Sequence, residues 1–495
     1  MNRRLIIRML GALLLIEAAA MVPALIVSLI YPDEHSYALG YRDASALGIS
    51  IIINVIAGSV LSFLPKKDLN SHLRLKEGFI ITALGWIFLG LFGALPFIIS
   101  GIIPRFEEAF FETVSGLTTT GASIVTAEKF DAFPRGVMFW RATTHWIGGM
   151  GVLVLTLALL PKLTGRTAHL VRAESPGPSL SKLVPKTGTT AKILYKIYIL
   201  LSLIEFFTLL LCGLTPYEAA VHTMATAGTG GFSNYGDSIA HFKSLPVEIA
   251  ITIFMLMFGV NFALYYRFLI GERFKAFFRD EEFRWYFIFA VSFMLLISLI
   301  NLDHYHGDFL TSLRYGSFQI SSIMSTTGFV TYDFNQWPAA SHIIIVIAML
   351  IGSCAGSTAG GIKVIRIILL TKLSRRNIRA TGQPKKMDVI RLDGRAVDEH
   401  MLSQIAQFVF MYITLILIGG FIMSLGSGYD LTTNLSAALT CVSNVGPGLG
   451  SVGPVFNYAG YGVIAKLTAS FLMLFGRLEL LPLFILFTRS AWHKY

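Results

Sequence analysis

Four short stretches carry residues that could act together: TTTGAS (118–123), GTGGFS (228–233), STTGFV (325–330) and SNVGPG (443–448). Each closes an apolar or hydroxylated run on a glycine, the residue that lets successive carbonyls turn toward one axis. Aligned on one glycine apiece, Gly121, Gly230, Gly328 and Gly446 fall at spacings of 109, 98 and 118. A second set, in HWIGGMG, LMFGVNF, LIGSCAG and LFGRLEL, places Gly148, Gly259, Gly352 and Gly476 at offsets of 27, 29, 24 and 30. Two glycine registers that agree four times imply a helix–loop–helix unit repeated four times. Four such loops around an axis would present rings of carbonyl oxygens able to replace a cation's hydration shell. The C-terminal ends of the short helices feeding them would add negative potential. The candidate coordinating residues are Thr119, Thr120 and Gly121, then Gly228, Thr229 and Gly230, then Thr326, Thr327 and Gly328, then Asn444, Val445 and Gly446.

The elements that must hold these loops are membrane helices. Of the 495 residues, 54% are hydrophobic and 14% charged, against about a quarter charged in a soluble domain. About 20 apolar residues cross a bilayer. Ten segments qualify, near 5–31, 43–64, 77–101, 135–160, 192–213, 246–270, 285–301, 341–370, 404–426 and 461–488. Four shorter segments, near 107–118, 216–227, 310–324 and 431–442, are too short to cross and read as re-entrant helices. The opening basic-then-apolar run is too long for a signal peptide and reads as the first span.

Charge sets the orientation. Arg3, Arg4 and Arg8, then Lys66, Lys67, Arg74 and Lys76, then Lys162, Arg166, Arg172, Lys182 and Lys186 all lie on one side of the ten-span count. So do Arg267, Arg273, Lys275, Arg279 and Arg284, and the run TKLSRRNIRATGQPKK with six basic side chains. Asp33, Glu34, Glu107, Glu108, Glu112 and Asp131 lie on the other. Both termini are expected on the cytoplasmic side. The net charge of +11 is thus spread over loops between spans, which argues against a nucleic-acid partner and for a membrane surface or a docking partner at 371–386. Cys212, Cys354 and Cys441 lie in apolar stretches and read as small buried side chains.

One span is interrupted. IGSCAGSTAGGIKV (351–364) puts four glycines into the ten positions 352–361, between HIIIVIAML and IRIILL. Each glycine lowers helix propensity by about 1 kcal/mol relative to alanine, and Ser353, Ser357 and Thr358 offer hydroxyls to the freed backbone. A phosphate-binding loop is a poor fit: Gly356 and Gly361 have its spacing, but Ile362 separates the second glycine from Lys363 and Val364 replaces the hydroxylated residue. Arg477, deep in the last span with Glu479 two residues on, reads either as half of a buried ion pair or as a fixed positive charge facing a water-filled cavity. Arg141 and His145 read as structural or as vestibule residues.

The set FETVSGLTTTGAS, ATAGTGGFS, MSTTGF and SNVGPGLG, with WIGGMG, GSTAGGIK and FGRLE, resembles the TrkH-type membrane subunits of bacterial Trk potassium-uptake systems, in the Trk/Ktr/HKT superfamily. The resemblance implies an all-α polytopic membrane protein and not an enzyme. It implies a two-helix N-terminal pair (1–70) and four pore repeats, 71–172, 173–284, 285–398 and 399–495. It further implies channel-like potassium and rubidium uptake across the bacterial inner membrane, a homodimer with one pore per chain, and a TrkA-like cytosolic regulator that binds nucleotides, this chain having no organic cofactor of its own. In that family the second long helix of the third repeat breaks beneath the filter, so Gly352, Ser353, Gly356, Ser357, Thr358, Gly360 and Gly361 would form a gate, with Arg477 as the pore charge. Asn444, Val445 and Phe329 depart from the family's Thr-Thr-Gly look. An ion-coupled symporter and a receptor without transport are the competing readings. The first usually shows two inverted repeats; the second lacks a soluble domain to support it.

Overall fold

Length and burial divide the helices into two classes. The computed structural model describes residues 3–32, 36, 40–63, 75–151, 187–383 and 388–489. Among the described residues six helices are long and apolar enough to cross a membrane: Arg3–Ile30, Asp43–Phe63, Lys76–Ser100, Ala191–Leu211, Glu281–Ile300 and Glu399–Ser424. Their outward faces carry exposed Ile26, Ile52, Ile56, Phe207, Phe287, Phe410 and Phe421. That pattern is stable against lipid, where apolar exposure has no cost.

The second class is short and buried. The helices Phe106–Leu117, Pro216–Gly228, Phe309–Met324 and Leu431–Ser443 match the four expected re-entrant segments. At 1.5 Å per residue they reach roughly 18–24 Å, short of a hydrocarbon core of about 30 Å. In the first, every residue from Ala109 to Leu117 is buried. Local chemistry starts three of them. Thr215 and Glu218 form a reciprocal capping box, Asp308 accepts from the N–H groups of Leu310 and Thr311 at 3.0 and 3.3 Å, and Asp430 accepts from Thr433 N–H at 3.1 Å. Such caps satisfy donors that a helix start otherwise leaves bare.

The long helices that follow the loops are not continuous, which corrects the expectation of unbroken spans at 246–270 and 461–488. Leu245–Phe258 turns through 92° into Phe262–Glu272. Val463–Arg477 stops at Leu478, and Leu481–Leu486 begins after Glu479 and Leu480 at φ 52° and 69°. Ala339–Ile351 and Val364–Gly382 are separated by residues 352–363. Arg135–Gly149 ends in Gly151 at φ 76°. The break expected in the third repeat is therefore found in the second and fourth as well, among the described residues. The helix Val364–Gly382 carries Lys372, Arg375, Arg376 and Arg379, so much of the basic run is helical, and Lys372 Nζ donates to the Arg391 carbonyl of a small antiparallel hairpin, Arg391–Leu392 with Arg395–Ala396. Asp33, Glu34, Lys66, Lys67, Arg74, the basic residues 162–186, Lys385, Lys386 and positions 152–160 of the span at 135–160 lie outside the described residues.

Candidate functional site

Each short helix ends in the same two-step turn. Thr119, Thr229, Thr326 and Asn444 take left-handed conformations at φ 55°, 56°, 56° and 54°, and two residues later Gly121, Gly231, Gly328 and Gly446 stand at φ 79°, 75°, 83° and 101°. Non-glycine residues reach that region at a cost of roughly 1–2 kcal/mol, so four recurrences in one chain mark a conformation that packing enforces. The intervening residues, Thr120, Gly230, Thr327 and Val445, donate their N–H back to Ser115, Ala225, Ser322 and Thr440.

The four turns close on one another. A Cβ on Gly121 would collide with the carbonyl oxygen of Gly230, one on Gly231 with that of Thr327, one on Gly328 with that of Val445, and one on Gly446 with that of Thr120. The cycle is complete: each repeat's glycine lies against the carbonyl of the next. Among the described residues none of those four oxygens accepts a hydrogen bond.

This geometry corrects the register in the second repeat. Gly231, not Gly230, corresponds to Gly121, Gly328 and Gly446; Gly230 corresponds to Thr120, and Gly228 precedes the turn. Gly228 and Gly230 are glycine for a different reason. A Cβ on the first would meet the His145 backbone, and one on the second the His145 imidazole. His145 itself is buried beneath the turn, with Nδ1 2.7 Å from the Gly116 carbonyl and Nε2 accepting from Phe232 N–H at 3.3 Å. Its role is structural. Asn444 explains the departure in the fourth repeat: its amide donates to Thr120 Oγ1 and to the Met473 carbonyl, both at 2.9 Å, and asparagine tolerates the left-handed turn. Phe329 packs near His222, with ring centroids 5.8 Å apart.

On one side of the turns lies a funnel walled by Gly121, Gly231, Gly328 and Gly446. Arg141 reaches its wall, pairing with Glu112 at 2.7 Å, stacking on Phe232 and donating to the Ser233 carbonyl at 3.0 Å. Arg141 is thus both a vestibule residue and a brace between the first two repeats.

On the other side lies the interrupted segment. Gly360 N–H donates to Thr326 Oγ1 at 2.7 Å and Gly361 N–H to the Ser443 carbonyl at 3.0 Å. The three hydroxyls expected to pair freed backbone do so: Ser353 Oγ donates to Met324, Ser357 Oγ to Cys354 and Thr358 Oγ1 to Phe258, at 2.8, 2.6 and 3.2 Å. Gly352, Gly356 and Gly361 stand at φ 68°, 73° and 77°, and Gly356 offers its carbonyl to Phe262 N–H at 3.1 Å. The neck is zipped by N–H donation from Ile362 to Leu350, Lys363 to Ile351 and Val364 to Ser353, each 3.0 Å.

Arg477 crosses to this segment. It donates to the Thr358 carbonyl and the Gly149 carbonyl, both at 2.6 Å, and to Gly148 at 2.5 Å. Glu479, the expected ion-pair partner, pairs instead with Arg366 on the helix leaving the segment. Four participants were missed in the sequence. Gly231 was hidden by a double glycine, although counting from the helix end would have found it. Lys363 and Arg366 were signalled by two charges in an apolar run; Lys363 Nζ folds back onto the Ala359 carbonyl. Glu282, whose Oε1 accepts from Ala355 N–H at 2.7 Å and Ile365 N–H at 3.2 Å, looked like an ordinary acid at a helix start.

The TrkH family model, described as a cation transport protein, matches residues 44–494. The chain is 36% identical to "Trk system potassium uptake protein TrkH" of Salmonella typhimurium, over all of both chains. It is 31% identical to "Trk system potassium uptake protein TrkG" of Escherichia coli, over 99% of each. Its fold matches the crystal structure of the potassium transporter TrkH from Vibrio parahaemolyticus with a TM-score of 0.88 at 30% identity, again over all of both chains. With that match end to end, and with four turns closing on one axis inside a membrane-spanning bundle, the chain belongs to the TrkH family of cation transport proteins.

Proposed function

We propose that this chain conducts potassium, and its near-equal rubidium, inward through a filter built from the four turns. The observation that carries the reading is the closed cycle of backbone carbonyls from Thr120, Gly230, Thr327 and Val445. Carbonyl oxygens arranged around an axis replace a cation's water without supplying a full charge that would trap it. The short helices end at the same place, and their C-terminal dipoles favour a cation there. The names of the relatives, potassium uptake proteins, support potassium as the ion.

Residues 352–361 act as the gate in this reading, because irregular backbone at membrane depth is stable only where protein or a water-filled path surrounds it. Their contacts to Thr326 and Ser443, at the turns and away from the funnel, support that reading. Arg477 supplies a fixed positive charge beside the path. The basic helix after the gate serves as the docking surface for a TrkA-like nucleotide-binding regulator. The chain works as a homodimer in the bacterial inner membrane with both termini cytoplasmic.

Reversal potentials in liposomes, under separate potassium, sodium and proton gradients, test this. Potential that follows the potassium gradient alone is expected. A shift with the proton or sodium gradient would replace conduction by ion-coupled symport, and equal response to sodium and potassium would overturn the four-turn filter.

A further inference from the structure

We propose that Glu282 is the positioning residue that keeps the segment 352–361 seated under the filter; this rests on the gate reading above. Glu282 stands in the first turn of Glu281–Ile300, a different helix from the two that flank the segment, and only 4% of it is exposed. Its Oε1 accepts two N–H groups, from Ala355 and Ile365, which lie on the outgoing and returning limbs of the neck. One carboxylate oxygen therefore bridges the two ends of an excursion that contains every glycine from Gly356 to Gly361. Burial denies both N–H groups a replacement partner from water, so losing this acceptor would leave them unpaired.

Two neighbouring contacts tie the same turn to both sides of the segment. Tyr286, one helical turn on, donates to the Leu256 carbonyl at 3.1 Å, and its hydroxyl crowds the same Gly259 face as Ser353 Oγ. Glu281 pairs with Lys372 of Val364–Gly382 at 2.5 Å, while its own N–H donates to Asp393 of the hairpin at 2.9 Å. A displacement of the basic helix or hairpin therefore pulls on residue 281 and reaches the neck through residue 282. The mobile part is held at its root, not along its length.

The test compares Glu282→Gln, Glu282→Asp and Glu282→Ala in liposome rubidium flux, with the loop-shortened protein alongside. Glutamine keeps an acceptor oxygen at the same reach, so its resting flux should stay within about twofold of the parent. Aspartate is one methylene short and alanine has no acceptor, so resting flux should rise roughly tenfold, equivalent to about 1.4 kcal/mol. Potassium-over-sodium selectivity should be unchanged. Hydrogen exchange of residues 352–365 should accelerate in the aspartate and alanine variants, while that of the filter turns should not. Should the alanine variant fail to fold, the aspartate variant carries the comparison. If shortening the loop raises flux while the aspartate variant behaves like the parent in flux and exchange, Glu282 does not hold the segment. If shortening the loop itself changes nothing, the gate reading falls first, and the exchange data alone then report whether Glu282 holds the neck.

Discussion

The four turns and the helix breaks described in the second, third and fourth repeats occupy matching places, yet they have diverged to opposite degrees. The turns keep one backbone shape: φ at the helix-terminal residue varies only from 54° to 56°, although its side chain changes from threonine to asparagine. The breaks share only their position. In the fourth repeat the helix resumes after residues 478–480, and the strain falls on Glu479 and Leu480. In the third, residues 352–363 intervene, and the positive φ values fall mainly on glycine. The difference follows from what each must contact. A turn is bounded on both sides by its neighbours in a closed cycle, so a change in one clashes with the next. A break belongs to no such closed cycle and differs in length from one repeat to another, which is where a movable element could arise.

The largest expected effect comes from removing that freedom. Deleting residues 356–360 removes the contacts of the segment to Thr326 and Arg477 and displaces the one to Ser443. At about 1 kcal/mol per contact, resting rubidium flux should rise on the order of a hundredfold with selectivity intact. Flux no faster than the parent, from folded and selective protein, would put the breaks on the same footing as the turns.

Next come the glycines of the second repeat, which separate the two registers. Gly231→Ala forces a Cβ into a left-handed residue, at roughly 1–2 kcal/mol, and against the Thr327 carbonyl. It should lower potassium-over-sodium discrimination about tenfold in paired uptake assays. Gly230→Ala meets the His145 ring instead, so it should reduce thermal stability by roughly 1–3 kcal/mol and alter discrimination less. The reverse ranking would restore Gly230 as the counterpart of Gly121.

Arg477→Ala should give a smaller change, a several-fold rise in flux per folded protein. At 4 Å and an effective dielectric of 20 the repulsion of a passing cation is about 4 kcal/mol, but three carbonyls already offset part of the charge. Arg477→Lys should fall between, because an ammonium keeps the charge and cannot fork between Thr358 and Gly149. Lower folded yield with unchanged specific flux would make Arg477 a brace only.

The smallest effect concerns a helix that feeds a turn. The Thr311 hydroxyl and the Thr311 and Leu310 N–H groups hold the Asp308 carboxyl below the usual range. A depressed carboxyl stabilises the fold above its unfolded value of about 3.9 and loses that contribution as pH falls through the folded value. Asp308→Asn should therefore lower the melting temperature slightly at neutral pH, and the gap to the parent should close in acid. A gap that persists in acid would assign the cap to geometry alone.

Much of this was legible in the chain. Apolar run length separated spanning from short helices because hydrocarbon thickness imposes a threshold, and the four short helices stand where expected. The repeated glycines announced four equivalent turns. The register of the second turn was not legible: GTGGFS offers three glycines, two of them serving His145, and identity of residue cannot distinguish clearance for an imidazole from a left-handed φ. Glu282 was invisible for a related reason, since nothing in FRDEEFRWYF says which acid faces lipid headgroups and which faces a neck more than seventy residues downstream.

The sequence by itself determined the membrane class, the fourfold unit, the short helices and the weak point at 352–361, because propensity, hydropathy and glycine content act over one or two turns of chain. Only the tertiary structure decided that the four turns close head to tail, that Arg477 reaches Thr358 while Glu479 goes to Arg366, and that one carboxylate bridges Ala355 and Ile365. Those are contacts between segments separated by tens to hundreds of residues. They are selected by which donors and acceptors packing brings within about 3 Å once water is excluded, a distance that no local pattern encodes.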